Sequence, residues 1–168
     1  TDYLLLNGSG ATDDYADYFD DTAPTSSVFT VDTAGDINGS SDTYISYLWT
    51  SIQGFSKFGG YEGNGNADGP FIWTGFKPAY VLIKNSGRAS TSWTVYDNKR
   101  PGYNSDNAYV LTDATDAEAS DKDIDLYSNG FKPLLSNNAV NTSGDTYIYM
   151  AFAEAPFVNS NGVPCNAR

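Results

Sequence analysis

Nine residues of this chain return almost unchanged 103 positions later. Ile37-Asn38-Gly39-Ser40-Ser41-Asp42-Thr43-Tyr44-Ile45 reappears as Val140-Asn141-Thr142-Ser143-Gly144-Asp145-Thr146-Tyr147-Ile148, and 140 − 37 and 148 − 45 both give 103. Each copy runs into an aromatic, apolar stretch: Tyr47-Leu48-Trp49 after the first, Tyr149-Met150-Ala151-Phe152 after the second. Weaker matches lie upstream. Ser27-Val28-Phe29 falls opposite Asn129-Gly130-Phe131, and Tyr3-Leu4-Leu5-Leu6 roughly opposite Tyr109-Val110-Leu111. A period near one hundred residues is too long for a solenoid turn and is the size of a whole β-domain. The 168 residues therefore read as about one and a half units, with 1–53 the second half of one and 54–168 a complete one. The chain is expected to be a segment of a longer polypeptide. Tandem β-units usually present surfaces or build fibres, which makes a structural or binding role the leading expectation.

Composition agrees with β structure. Tyr (13) and Gly (16) are abundant, while strong helix formers are scarce, with three Glu, one Met and six Lys. That bias favours short strands joined by tight turns. The candidates are Val28 to Val31, Tyr44 to Trp49, Phe55 to Phe58, Phe71 to Trp73, Tyr80 to Lys84, Trp93 to Tyr96, Leu126-Tyr127, Phe131 to Leu135 and Tyr147 to Ala153. Tyr80 to Lys84 has no polar residue within its apolar run and reads as a fully buried strand, with Val81 and Ile83 inside. Trp93 is expected in the core as well, and core packing is the expected role of Trp49 and Trp73. Gly-Phe-Lys-Pro occurs twice, at 75–78 and 130–133, each time leading into apolar residues. Only Ala114 to Ala119 is composed for a helical turn. The predicted fold is all-β: an antiparallel, jelly-roll-like β-sandwich.

The net charge of −12 is unevenly spread. Residues 1–56 hold nine Asp and no Lys or Arg, giving −9, and the remaining −3 falls on 57–168. Such a surface repels phosphate backbones, so nucleic acid is not an expected partner. Membrane insertion is not expected either, since no apolar run approaches the length of a span and no signal-peptide pattern opens the chain. The single cysteine, Cys165, cannot form an internal disulfide.

Histidine is absent, which removes Ser-His-Asp and Cys-His catalysis and the commonest metal ligand. The surviving hydrolase template is a carboxylate pair, and Glu62, Glu118 and Glu154 are the only glutamates. None stands in a visible paired motif, so no catalytic, cofactor-binding or metal residue is assigned and a non-enzyme is expected. Calcium is a weak candidate. Asp121, Asp123 and Asp125 alternate, but Lys122 intervenes and the EF-hand glycine and distal glutamate are missing. Asp13, Asp14, Asp17, Asp20 and Asp21 form a second acidic cluster, best read as a solvated loop. Asn7, Asn38 and Asn141 head glycosylation-type triplets that turn chemistry explains without glycans. Within the repeat, Asp42 and Asp145 are expected to accept hydrogen bonds from their preceding turns.

An ordered set of motifs carries a resemblance. Gly54-Phe55-Ser56-Lys57-Phe58-Gly59, Tyr61-Glu62-Gly63-Asn64-Gly65, Gly75 to Lys84, Trp93 to Asp97, Asp145 to Glu154, and the ending Pro156-Phe157, Gly162-Val163-Pro164 and Ala167-Arg168 occur in that order. The chain resembles, over nearly its whole length, the C-terminal repeat region of tail-fibre-like virion proteins of marine tailed phages. The resemblance implies an extracellular, β-rich virion component, part of a fibre, spike or surface appendage, with host contact as a further expectation. It offers no catalytic residues to carry over, and Cys165 departs from it. Expected partners are copies of the chain, as a trimer or filament joined through residues 1–53, other virion proteins, and a host-surface glycan. The alternative is a secreted carbohydrate-binding or adhesive sandwich.

Overall fold

The structure, a computed structural model, describes residues 2–100, 102, 104, 107–121 and 124–154. Cys165 and the 156–168 motifs lie outside these residues. Within 51–154, strands alternate with tight turns in the order β3 (Ser56–Glu62), β4 (Ile72–Trp73), β5 (Pro78–Asn85), β6 (Thr94–Asp97), β7 (Tyr109–Leu111), β8 (Ile124–Tyr127), β9 (Gly130–Pro133) and β10 (Thr146–Ala153). Five of them form one sheet in the order β3-β10-β5-β6-β7, and three form a second, β4-β9-β8. All pairings are antiparallel. The fold is an all-β sandwich, as composition predicts. No helix among the described residues is long and apolar enough to cross a membrane.

The core is where the two sheets face each other. Val81, Ile83, Tyr96, Tyr109, Tyr147, Tyr149 and Ala151 from the large sheet meet Ile72, Ile124, Leu126 and Phe131 from the small one. Strand alternation sets this up: in β10, Tyr147, Tyr149 and Ala151 point inward at i, i+2 and i+4. β5 is buried from Val81 to Asn85 as a central strand should be, whereas Trp93 is only half-buried. Gly59 and Gly60 do not end β3. A Cβ on Gly59 would stand 3.1 Å from the Tyr149 ring, so the bare backbone makes room for the cross-strand aromatic. Both Gly-Phe-Lys-Pro copies bury their phenylalanine, Phe76 and Phe131.

Three expectations about helix and strand fail. Ala114 to Ala119 is not helical; Ala119 exchanges both backbone hydrogen bonds with Tyr109, and that pairing overrides the helix preference of its alanines. Val28 to Val31 and Tyr44 to Trp49 belong to no strand, because nothing in the described residues lies beside them to complete a hydrogen-bond ladder. The first 50 residues instead carry a two-stranded ribbon, β1 (Asp2–Tyr3) with β2 (Asp13–Asp14), and two single-turn helices, α1 (Ala16–Phe19) and α2 (Gly35–Asn38). The loop after β1 is tied to the sandwich: Ser86 O accepts from Thr12, Ser9 O from Thr91, and Leu5 O from Trp93 Nε1.

Candidate functional site

β4 has one residue for each face. Ile72 enters the core, so Trp73 must point outward, and it is 60% exposed. Its cross-strand neighbour is Gly130, which has no side chain to cover the indole. The following Gly75 has φ 83, a left-handed turn, and a Cβ there would press within 3.0 Å of the same ring. Opposite, the 52–56 turn is closed by Ser56 N–H donating to Ile52 O at 3.0 Å, with Gly54 at φ 74. The result is a shallow cleft of about 250 Å³ lined by Ser51, Ile52, Gln53, Lys57, Trp73 and Thr74. The Lys57 ammonium lies 6.0 Å from the Trp73 ring centre, at cation–π range. Several hydroxyls are already committed: Ser51 Oγ accepts from Phe58 N–H, and Thr74 Oγ1 donates to Phe76 O. An apolar ring face flanked by an ammonium and the Gln53 amide is the composition of a shallow binding surface. The apolar run Phe71-Ile72-Trp73 hides this in the sequence, because only the register shows which of the three faces out.

At one end of the sandwich, polar side chains bind loops together. Asn141 is fully buried; its Oδ1 accepts from Asn64 N–H, and its Nδ2 donates to Asn64 Oδ1 and Asn66 O. Its amide is therefore consumed inside the fold. Asn38, the equivalent residue in the first copy, donates to Asp32 O. Asp145 does not cap its own turn: its carboxylate accepts from Asn85 Nδ2 at 2.8 Å and from the Arg88 guanidinium at 2.8 and 3.1 Å. The hydrogen bond from Arg88 holds the Asp145 carboxyl below the usual carboxylate range. Lys84, fully buried, donates to Asn85 O at 2.7 Å and Thr91 Oγ1 at 3.0 Å. Burial lowers its ammonium from the ordinary value, partly offset by the charge of Asp113.

The candidate acidic groups are scattered. Glu62 ends β3 opposite Thr146, whereas Glu154 follows the other end of β10 and pairs with Lys77 at 2.8 Å. At about 3.3 Å per residue the two stand roughly 25 Å apart along the strand, far beyond the spacing of a glycosidase pair. Glu118 shares the Arg100 guanidinium with Asp97. Asp121 accepts from the Tyr109 hydroxyl and Asp125 from Tyr127, while Lys122 and Asp123 lie outside the described residues. Asp13 accepts from the Tyr3 hydroxyl and the Asp14 N–H. Among the described residues, no three His, Cys, Asp or Glu side chains come together as a metal site.

This chain belongs to the family described as a domain of unknown function, DUF7483, whose model matches residues 1–156. No curated protein and no solved structure matches it.

Proposed function

We propose that the chain, a member of the DUF7483 family, is a non-enzymatic structural module of a phage virion, part of a fibre, spike or surface appendage. The observation that carries this reading is the exposed apolar stretch Tyr44 to Trp49, in which Ile45 is 80% and Leu48 74% exposed. A contiguous patch of this kind marks a surface that meets other protein, as building blocks of an assembly do. Its partners are then further copies and other proteins of the particle, in an extracellular setting. The resemblance of the ordered motifs to tail-fibre-like proteins supports the same reading. The test is mass spectrometry of gradient-purified particles of the phage encoding the chain. Its peptides should co-sediment with the particles in a fixed ratio to the tail proteins. Peptides confined to the soluble, particle-free fraction would refute the assignment.

The Trp73 cleft favours a second reading, that of a glycan-contacting module. A flat, exposed indole beside an ammonium and an amide suits the apolar face of a sugar ring. On host-surface polysaccharide, tryptophan fluorescence should respond for the wild type and lose that response in Trp73→Ala. An unchanged response in the variant would remove the cleft from consideration.

A further inference from the structure

The closing turn of the sandwich exists twice in this chain, bond for bond. In the intact unit, Val140 and Asn141 N–H both donate to Asn137 O, and Asp145 N–H donates to Thr142 O. Gly144 takes φ 78. The Tyr147 hydroxyl accepts from Thr142 N–H at 2.8 Å and donates to Asn138 O at 3.2 Å. In residues 34–44, Ile37 and Asn38 N–H donate to Ala34 O, and Asp42 N–H donates to Gly39 O. Ser41 takes φ 70, uncommon for a residue with a Cβ. The Tyr44 hydroxyl accepts from Gly39 N–H at 2.7 Å and donates to Gly35 O at 2.6 Å. Each group is displaced by the same interval, since 147 − 44, 144 − 41, 142 − 39 and 138 − 35 all give 103. Upstream the correspondence continues with an interval of 106: Tyr3 pairs with Asp13 as Tyr109 pairs with Ala119.

The copies part company after the tyrosine. In the intact unit the chain continues as β10, held between β3 on one side and β5 on the other. In the first copy it continues as 44–50, exposed and in no strand, with only the carbonyl of its last residue, Thr50, accepting from Ser56 Oγ of the sandwich. Its pattern is nevertheless that of a central strand. Tyr44, Ser46 and Leu48 take the places of the inward Tyr147, Tyr149 and Ala151. Tyr47 and Trp49 take those of Met150 and Phe152, and their rings already stack on one side at 6.1 Å. Apolar groups on both faces suit a strand covered on both faces.

We infer that residues 2–50 are the second half of another unit of this fold, and that 44–50 is a docking strand for two antiparallel strands of the β3 and β5 type. Charge points to the same occupant. Residues 57–100, which supply most of that half in the intact unit, hold six basic and three acidic groups, giving +3. The two second halves are acidic: −9 over 1–56, and nine acidic against three basic groups, −6, over 101–168. A second copy of the described chain is a poor occupant, because each copy contains two second halves and one first half, and that first half is already filled by its own β10. The inference rests on the same exposed stretch as the virion reading and narrows what meets it to first-half strands; the two fail separately, because protection of 44–50 and co-sedimentation with particles are read by different experiments.

The test prepends a copy of residues 54–106 to the full chain, joined directly ahead of Thr1. Hydrogen exchange of amides 44–50 should slow at least a hundredfold, to the range of 146–153, and Trp49 emission should shift to the blue. Exchange at 44–50 unchanged from the unmodified chain would overturn the inference. A second variant reads register directly. By the Met150–Phe58 pairing, Tyr47→Cys should form a disulfide with Phe58→Cys of the added copy in a Cys165→Ser background, and not with Lys57→Cys. Absence of that crosslink, or equal crosslinking at both positions, would also overturn it. So would a dimer of the unmodified chain in which 44–50 is protected, for then the occupant is a second copy.

Discussion

At the residue scale, the same tyrosine hydroxyl closes the same turn in two surroundings, so its contribution can be compared directly. Tyr147 is fully buried and its hydroxyl satisfies Thr142 N–H inside the sandwich. Tyr147→Phe leaves that donor without its partner and should cost about 1–3 kcal/mol in urea unfolding. Tyr44→Phe removes an equivalent bond in an exposed segment and should cost about 0.5 kcal/mol or less. Equal losses would mean that the first copy shares the cooperative core. Lys84 makes a pH prediction. Its folded-state value is lowered by burial, so between that value and the ordinary 10.5 the unfolded chain holds a proton that the folded chain has lost. Stability from this group therefore rises with pH up to 10.5 and falls away as pH drops through the folded value. Relative to Lys84→Met, the wild type should gain stability as the pH is raised through this window, and a pH-independent difference would contradict it. The sequence places Lys84 at the end of a strand read as buried, but the Asn85 carbonyl and Thr91 hydroxyl that satisfy its ammonium there come from the next residue and the loop beyond and are not legible in the run itself.

At the element scale, β5 and β10 were legible because each is rich in apolar, β-branched and aromatic residues, and the register places both in the interior of the large sheet. Trp73 was misread for a reason specific to strands: a three-residue apolar run gives no alternation from which to choose a face. The segment 44–50 was misread because strand propensity was plain, while the ladder partners on which a strand depends are not a property of the segment. Glycines mark where elements touch. A Cβ on Gly130 would stand 2.2 Å from Ile72 O, so β9 can pair with β4 only if that position is bare. Gly130→Ala should cost roughly 2–3 kcal/mol and loosen the small sheet. Gly35→Ala, with open space around it, should be neutral or slightly stabilising. Calorimetry of the two variants distinguishes the cases, and a neutral Gly130→Ala would show that β4 is dispensable.

At the scale of the whole molecule, the repeat was the most informative feature of the sequence and also the one whose consequence it left open. Two near-identical nonapeptides said that a unit recurs. They could not say that one copy ends in a paired strand and the other in an exposed one, because that depends on which strands are in reach. The charge map follows the same division, with basic first-half strands set against acidic second halves. The loop at 5–12 fixes the first copy to the intact sandwich through hydrogen bonds to the Ser86 and Thr91 backbone and the Trp93 indole, so the docking strand is presented from an anchored base. Native-state hydrogen exchange on the unmodified chain reads whether 44–50 lacks its strand partners. Amides of 146–153 should be among the slowest in the molecule and open only on global unfolding. Amides of 45–50 should exchange at rates close to those of an unstructured peptide, while Gly39 and Asp42, bonded within their turn, exchange more slowly. Protection of 45–50 equal to that of 146–153 in the monomeric chain would mean that its strand partners are already present, and would contradict the account.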